Sequence, residues 1–255
     1  MSDFRVIPVL LLNKQGFVKS KMFKNYTYLG DPINILRIFN DKEVDEIAIL
    51  DIEKNIDKSL INFKRIKDLV SECIIPVSYG GGIRNFTDVK KLFKCGVDKI
   101  IFNTNLVSNP DLVKKTCLLA GSQSVIASID VKINNKTGVK ECHIMSGNVN
   151  TGLEPFVLVK KSIDLGVGEI LINSIDRDGM MCGYDLELIE SLAKEFVIPI
   201  ICLGGSSRIE DFKKAYIVGA RAVAASSQFV FIGKRNGILV QYPEKKILKK
   251  IINEK

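Results

Sequence analysis

Histidine is nearly absent from this 255-residue chain, with His143 the only one. Mechanisms built on Ser-His-Asp or Cys-His pairs need a histidine base, and imidazole metal triads need more than one. Proton transfers in an enzyme of this sequence therefore fall to Asp, Glu, Lys or Cys. The cysteines (Cys73, Cys95, Cys117, Cys142, Cys182 and Cys202) form no CxxC pair. Neither a clustered zinc site nor a disulfide scaffold is indicated, and they read as core or surface thiols. No apolar run approaches the ~20 residues that cross a bilayer. The N-terminal MSDFRVIPVLLLNKQG has only a short apolar stretch and no small-residue cleavage site, so it reads as a strand. A cytoplasmic protein without a membrane partner is expected. RNP-like aromatics, zinc fingers and a basic arm are missing too, so the net charge of +8 does not indicate nucleic acid. No metal and no cofactor is expected.

What is present suffices for a full core: 46% of residues are hydrophobic and 26% charged. Apolar β-branched runs alternate with amphipathic stretches. Strands are expected at 5–11, 46–52, 74–79, 98–103, 124–130, 168–174, 197–203 and 221–226. Helical patterns lie near 31–40, 58–72, 85–95, 109–119, 153–165, 184–195, 207–218 and 243–253. Continuous Val/Ile/Leu runs mark strands buried on both faces. Eight βα units in this length are the count of a TIM barrel.

An internal repeat supports that reading. Ile75-Pro76-Val77 recurs as Ile198-Pro199-Ile200, an offset of 123 residues, and at the same offset Gly81-Gly82 meets Gly204-Gly205. Asp88 meets Asp211, Gly96 meets Gly219, and Glu46 meets Glu169. The period is half a barrel. The expected fold is therefore α/β, a single (βα)8 TIM barrel over 1–255, built from two similar (βα)4 half-barrels of roughly 1–123 and 124–255.

In this fold the chemistry sits at the strand C-termini. Two glycine-rich turns fall there, Tyr79-Gly80-Gly81-Gly82-Ile83-Arg84 and Leu203-Gly204-Gly205-Ser206-Ser207-Arg208. Both lead into helices, whose N–H groups favour anions. Asn103-Thr104 and, at the same offset, Ser226-Ser227 can add contacts to phosphate oxygens. Two cradles on one face suggest a long ligand with a phosphate at each end. The lysines of the C-terminal helix (Lys245, Lys246, Lys249, Lys250) read as a solvated face. Carboxylates at the mouth are few: Asp51, Asp130, Asp176 and Asp178. Asp130 is the candidate acid/base, or a cap of the loop after it. At the opposite end Arg5, Glu46, Lys99 and Glu169 stand near strand starts. Charges there are costly unless paired, so they form either a structural plug or a gate.

The chain resembles HisF, the cyclase subunit of imidazole glycerol phosphate synthase. The resemblance rests on Arg5-Val6-Ile7-Pro8, Gly30-Asp31-Pro32, Gly80-Gly81-Gly82-Ile83-Arg84, Ser128-Ile129-Asp130, Asp176-Arg177-Asp178-Gly179 and Gly183-Tyr184-Asp185-Leu186-Glu187-Leu188. It implies a barrel that takes ammonia from a glutaminase (HisH-like) subunit on its N-terminal face and uses it on a phosphorylated substrate at the C-terminal face. By residue, it implies an ammonia gate of Arg5, Glu46, Lys99 and Glu169. One phosphate site would comprise Gly81, Gly82, Asn103 and Thr104, and the other Asp178, Gly179, Gly204, Gly205, Ser226 and Ser227. Asp130 matches a catalytic carboxylate, and Lys19 a lysine of the first loop that holds substrate.

The sequence departs from that pattern at Leu11, Leu203 and Asn173, and again in the atypical stretch of residues 229–237 after the last strand. Leu11 occupies the position of the family's second catalytic aspartate, and Leu203 and Asn173 stand where the second phosphate site has hydroxyl residues. A HisF-like paralogue branch of surface-polysaccharide, amidino-sugar biosynthesis, serving a sugar amidotransferase, fits these departures. A genuine histidine-pathway cyclase, with Cys182 or Lys19 replacing the aspartate, is the alternative. A non-catalytic metabolite-binding activator of the glutaminase is the other.

Overall fold

The computed structural model describes residues 4–53, 60–233 and 235–253. Strand β1 (Arg5–Leu12) leads into a hairpin of β2 (Phe17–Lys21) and β3 (Lys24–Gly30), then α1 (Pro32–Asp41). Next come β4 (Ile47–Asp51), α2 (Phe63–Ser71), β5 (Val77–Gly80), α3 (Phe86–Lys94) and β6 (Lys99–Phe102). Short α4 (Asn105–Ser108) and α5 (Pro110–Ala120) follow. The chain continues through β7 (Val125–Ile133), a hairpin of β8 (Lys140–Ile144) and β9 (Val149–Asn150), and α6 (Pro155–Asp164). Then come β10 (Glu169–Ser174), α7 (Leu186–Glu195), β11 (Ile200–Leu203), α8 (Ile209–Ile217) and β12 (Ala222–Ala225). It ends in α9 (Ser227–Val230), a hairpin of β13 (Phe231–Ile232) and β14 (Gly237–Ile238), and α10 (Lys245–Asn253).

The parallel strands β1, β4, β5, β6, β7, β10, β11 and β12 pair in that order, and β12 returns to β1. The sheet is thus a closed eight-stranded barrel, the expected (βα)8 fold. Side chains alternate along each strand. On β1, Ile7 and Val9 enter the barrel interior with Ile101, Ile126, Leu171 and Ile201. The intervening Val6, Leu10 and Leu12 face the helices. Because both faces are buried, these strands read in the sequence as unbroken apolar runs.

The helices start where local chemistry places them. Asp31 caps α1 by accepting the Asn34 N–H, with Pro32 in the first turn, and Asn109 and Pro110 do the same for α5. The repeat is visible in the elements: β5, β6 and α3 recur as β11, β12 and α8 with both bounds moved by the same offset.

Several expected bounds need correcting. The runs starting at Ile74 and Val197 are not strand at their outset, and β5 and β11 begin three residues later, with both apolar side chains exposed. The helix expected near 58–72 begins at Phe63, and residues 58–59 of that expectation lie outside the described residues. The hairpins β2–β3, β8–β9 and β13–β14 were not expected at all. No helix among the described residues is long and apolar enough to cross a membrane.

Candidate active site

A cavity of about 550 Å³ opens at the C-terminal end of the barrel. Its floor is apolar, formed by inward side chains of the strand ends, Val9, Leu11, Leu50, Ile101 and Leu203. Two hairpin tips roof it. One carries Phe23 and Tyr26 and the other Met145 and Ser146. Met22, Phe23, Met145 and Ser146 all hold left-handed backbone conformations (φ 50–62°), so each tip is a tight turn made without glycine at those positions.

Asp130, near the middle of β7, faces this cavity and is buried. Burial raises its carboxyl to about 7. A hydrogen bond from Asn173 opposes that rise, and the Asp178 charge adds to it. Its neighbour on β10 is Asn173, in register across the parallel pair. A carboxyl that titrates near neutrality in an apolar pocket is suited to general-acid chemistry. Leu11 lines the same cavity and offers no proton.

The second carboxylate in reach is Asp178, held from the β2 side. Lys19 Nζ donates to Oδ1 at 2.7 Å and Ser20 Oγ to Oδ2 at 3.0 Å, both buried. The Met22 N–H donates to the Asp178 carbonyl at 2.8 Å. Nothing in the sequence announces this pairing, since Lys19 and Asp178 are 159 residues apart. It fastens the first hairpin over the cavity. Gly179 packs directly beneath it, against the Ser20 carbonyl. Asp51 also lines the cavity and accepts the Tyr79 hydroxyl at 3.3 Å.

The first glycine turn, with Gly80, Gly81, Gly82 and Arg84, opens onto the cavity together with Asn103 and Thr104. Gly81 has φ +121°, and a Cβ there would lie 2.2 Å from the Asp51 carbonyl oxygen, so only glycine fits. On the other side Asp178, Leu203 and Ser226 line the cavity, while Gly179, Gly204, Gly205 and Ser227 stand behind its wall. The backbone N–H groups just ahead of both following helices are engaged by side chains. Asp88 accepts from the Arg84 N–H ahead of α3, and Asp211 accepts from Ser207 and Arg208 ahead of α8. Cys182 is exposed and lies in a separate depression of about 270 Å³ beside Gly183 and Arg208, so it does not share the cavity with Asp130.

At the opposite end, Arg5, Glu46, Lys99 and Glu169 close into a ring. Arg5 bonds Glu46 and Glu169 at 2.7 Å each, and Lys99 reaches Glu46 at 2.9 Å and Glu169 at 3.4 Å. Burial works against the Arg5 charge, but Glu169 and Glu46 outweigh it and raise its pKa. Four buried side-chain atoms among the described residues lack a hydrogen-bond partner: Glu46 Oε1 in the ring, and Asn173 Oδ1, Ser226 Oγ and Ser227 Oγ at the cavity end. No group of three metal-ligating side chains occurs among the described residues.

A family model described as "Histidine biosynthesis protein" matches residues 5–234. A provisionally named imidazole glycerol phosphate synthase subunit HisF of Leptospira interrogans is 40% identical over 242 residues, 94% of this chain and 95% of that protein. The provisionally named subunit hisF2 of Pseudomonas aeruginosa is 39% identical over 244 residues, covering 94% and 96%. The imidazole glycerol phosphate synthase subunit HisF of Pyrobaculum aerophilum is 40% identical over 229 residues, covering 89% and 90%.

Proposed function

Because this chain belongs to the family of histidine biosynthesis proteins, and within it is similar to HisF subunits over most of its length, we propose that it is a HisF-like synthase subunit fed with ammonia by a glutaminase. Ammonia enters through the ring of Arg5, Glu46, Lys99 and Glu169 and reacts with a phosphorylated substrate in the cavity. The carrying observation is the coaxial pair: a closed ring of four paired charges at one barrel end and a buried acid, Asp130, at the other. Between them the interior is apolar and includes the small side chains of Ala48, Ala222 and Ala224. Such a passage suits neutral ammonia and rejects ammonium. The unpartnered Glu46 Oε1 can accept a hydrogen bond from the incoming nitrogen.

The glutaminase docks on the N-terminal face. There Ile74, Leu118, Val197 and Ile217, at the strand starts and helix ends, leave apolar side chains exposed around the ring. Phosphate at the first glycine turn completes the site. Leu11 in place of a second acid removes a proton-transfer group from ordinary cyclase chemistry. Amidino-sugar synthesis for surface polysaccharide, with a sugar amidotransferase as further partner, accommodates that loss. One observation favours a genuine histidine-pathway cyclase instead: burial holds the Asp130 carboxyl near neutrality, as suits an acid catalyst.

The test uses the complex with a HisH-type glutaminase. Val197→Asp with Ile217→Asp is expected to weaken association at least tenfold. In the intact complex, Lys99→Met is expected to depress glutamine-driven turnover while ammonium-driven turnover persists. Unchanged association, or equal loss with both nitrogen sources, refutes the reading.

A further inference from the structure

The two halves of the barrel share a backbone but differ at the positions that touch the cavity. The repeat offset places Leu203 where Gly80 stands, Asn173 where Leu50 stands and Ser207 where Arg84 stands. Gly80 and Arg84 line the cavity at the first turn. At the second, Leu203 is 6% exposed and its side chain joins the apolar cluster of the barrel interior with Leu50 and Leu11. A dianion placed against that surface loses hydration and gains nothing in return.

Asn173 adds the opposite of what a phosphate needs. It is 5% exposed, and its Oδ1 has no partner among the described residues. That oxygen lies 2.9 Å from where a Cβ on Gly204 would be, so a bare acceptor covers the second turn. Phosphate oxygens are themselves acceptors, whereas a ligand hydroxyl donates. Beside it, Ser226 Oγ and Ser227 Oγ are buried without partners. Their counterparts in the first half are already engaged, Asn103 donating to the Ser128 carbonyl at 3.0 Å and Thr104 Oγ1 accepting the Met145 N–H at 3.2 Å. Buried polar atoms are normally bonded, so three orphans at one end mark the place of a ligand's polar groups. Lys19, which lines the cavity on that side, is committed to Asp178, and Arg177, packed against Gly205, turns its guanidinium to the Gly183 carbonyl.

We propose that the cavity takes a phosphosugar with a single phosphate: the phosphate sits at Gly81-Gly82, and an uncharged, hydroxyl-bearing sugar end meets Asn173 and Ser226, which line the cavity. The two-phosphate ligand suggested by the repeat is thereby replaced by a ligand of unequal ends. The inference rests on the phosphate reading of the first turn.

Calorimetric titration of the full chain tests it with three probes: inorganic phosphate, ribose 5-phosphate and ribulose 1,5-bisphosphate. The two sugars are expected to bind within about threefold of each other. Leu203→Ser combined with Asn173→Thr is expected to strengthen the bisphosphate at least tenfold. Asn173→Leu, which keeps the branching and heavy-atom count and removes the acceptor, is expected to weaken ribose 5-phosphate about tenfold and leave inorganic phosphate unchanged. A wild-type preference of thirtyfold or more for the bisphosphate overturns the proposal, as does Asn173→Leu without effect on ribose 5-phosphate. If none of the three probes binds, the phosphate reading itself fails and the inference falls with it.

Discussion

Replacing Asp130 by Asn should stabilise the protein, and the gain should grow with pH. The folded carboxyl titrates at about 7 because burial disfavours its charge, whereas an unfolded aspartate titrates at about 3.9. Between these values the folded state holds a proton that the unfolded state has lost. Stability then falls as pH rises, opposite to the usual behaviour of a salt-bridged aspartate. The cost is small below pH 4, roughly 1 to 2 kcal/mol at pH 5 and roughly 4 kcal/mol at pH 8. Asparagine has nearly the same shape, never ionises and keeps an acceptor for the Asn173 amide, so the variant escapes this cost. Urea unfolding of both proteins at pH 5 and pH 8 should show the stability difference widening by roughly 2 to 3 kcal/mol. A difference that stays the same at both pH values would refute the claim that Asp130 is held protonated by its surroundings. The same titration predicts that any reaction using Asp130 as an acid loses rate above pH 7.

Two further substitutions probe the site's construction. Lys19→Met strands a buried Asp178 without its cation, which should cost about 3 kcal/mol. Limited proteolysis should then cut within residues 22–28 faster than in the wild type, and an unchanged cutting rate would show that the ion pair does not fasten the hairpin. Gly81→Ala forces a Cβ onto the Asp51 carbonyl from a positive-φ position. It should cost at least about 2 kcal/mol in thermal unfolding and abolish inorganic phosphate binding, and retention of both would remove this turn from the site.

The barrel was legible because its strands are buried on both faces and therefore appear as apolar runs. The same rule misled at Ile74 and Val197. The runs Ile-Ile-Pro and Val-Ile-Pro continue past the sheet edge, where the exposed apolar groups serve the outer surface of the N-terminal face. The ring was legible too, since Arg5, Lys99 and Glu169 each open a strand and Glu46 directly precedes one. The roof was not. β3 reads KNYTYLG and is mostly exposed, so it carries no apolar run. The turn at Met22-Phe23 lacks the Asn-Gly signature that marks tight hairpins, and Met145-Ser146 lacks it as well. The resemblance puts Asp178 with the second phosphate site, but its bond to Lys19 depends on a roof that no apolar run marks.

Pseudo-symmetry of the backbone explains why the two ends of the cavity can specialise independently. The Asp51 carbonyl packs over Gly81 as the Ser174 carbonyl packs over Gly204, so each half builds its turn from the same main-chain contact. With the turn fixed by backbone, the side chains one position before it and at the preceding strand end are released from structural duty. In the first half those positions are Gly80 and Leu50, which line the cavity with Gly81, Gly82 and Arg84. In the second they are Leu203 and Asn173, which replace open space with an apolar wall and a lone acceptor. Asn173 faces both ways, because its amide donates to Asp130 while its carbonyl covers Gly204. A ligand hydroxyl accepted by that carbonyl would polarise the amide and strengthen its bond to the Asp130 carboxylate. One side chain thus joins the Asp130 carboxyl to the second turn, through its amide on one side and its carbonyl on the other.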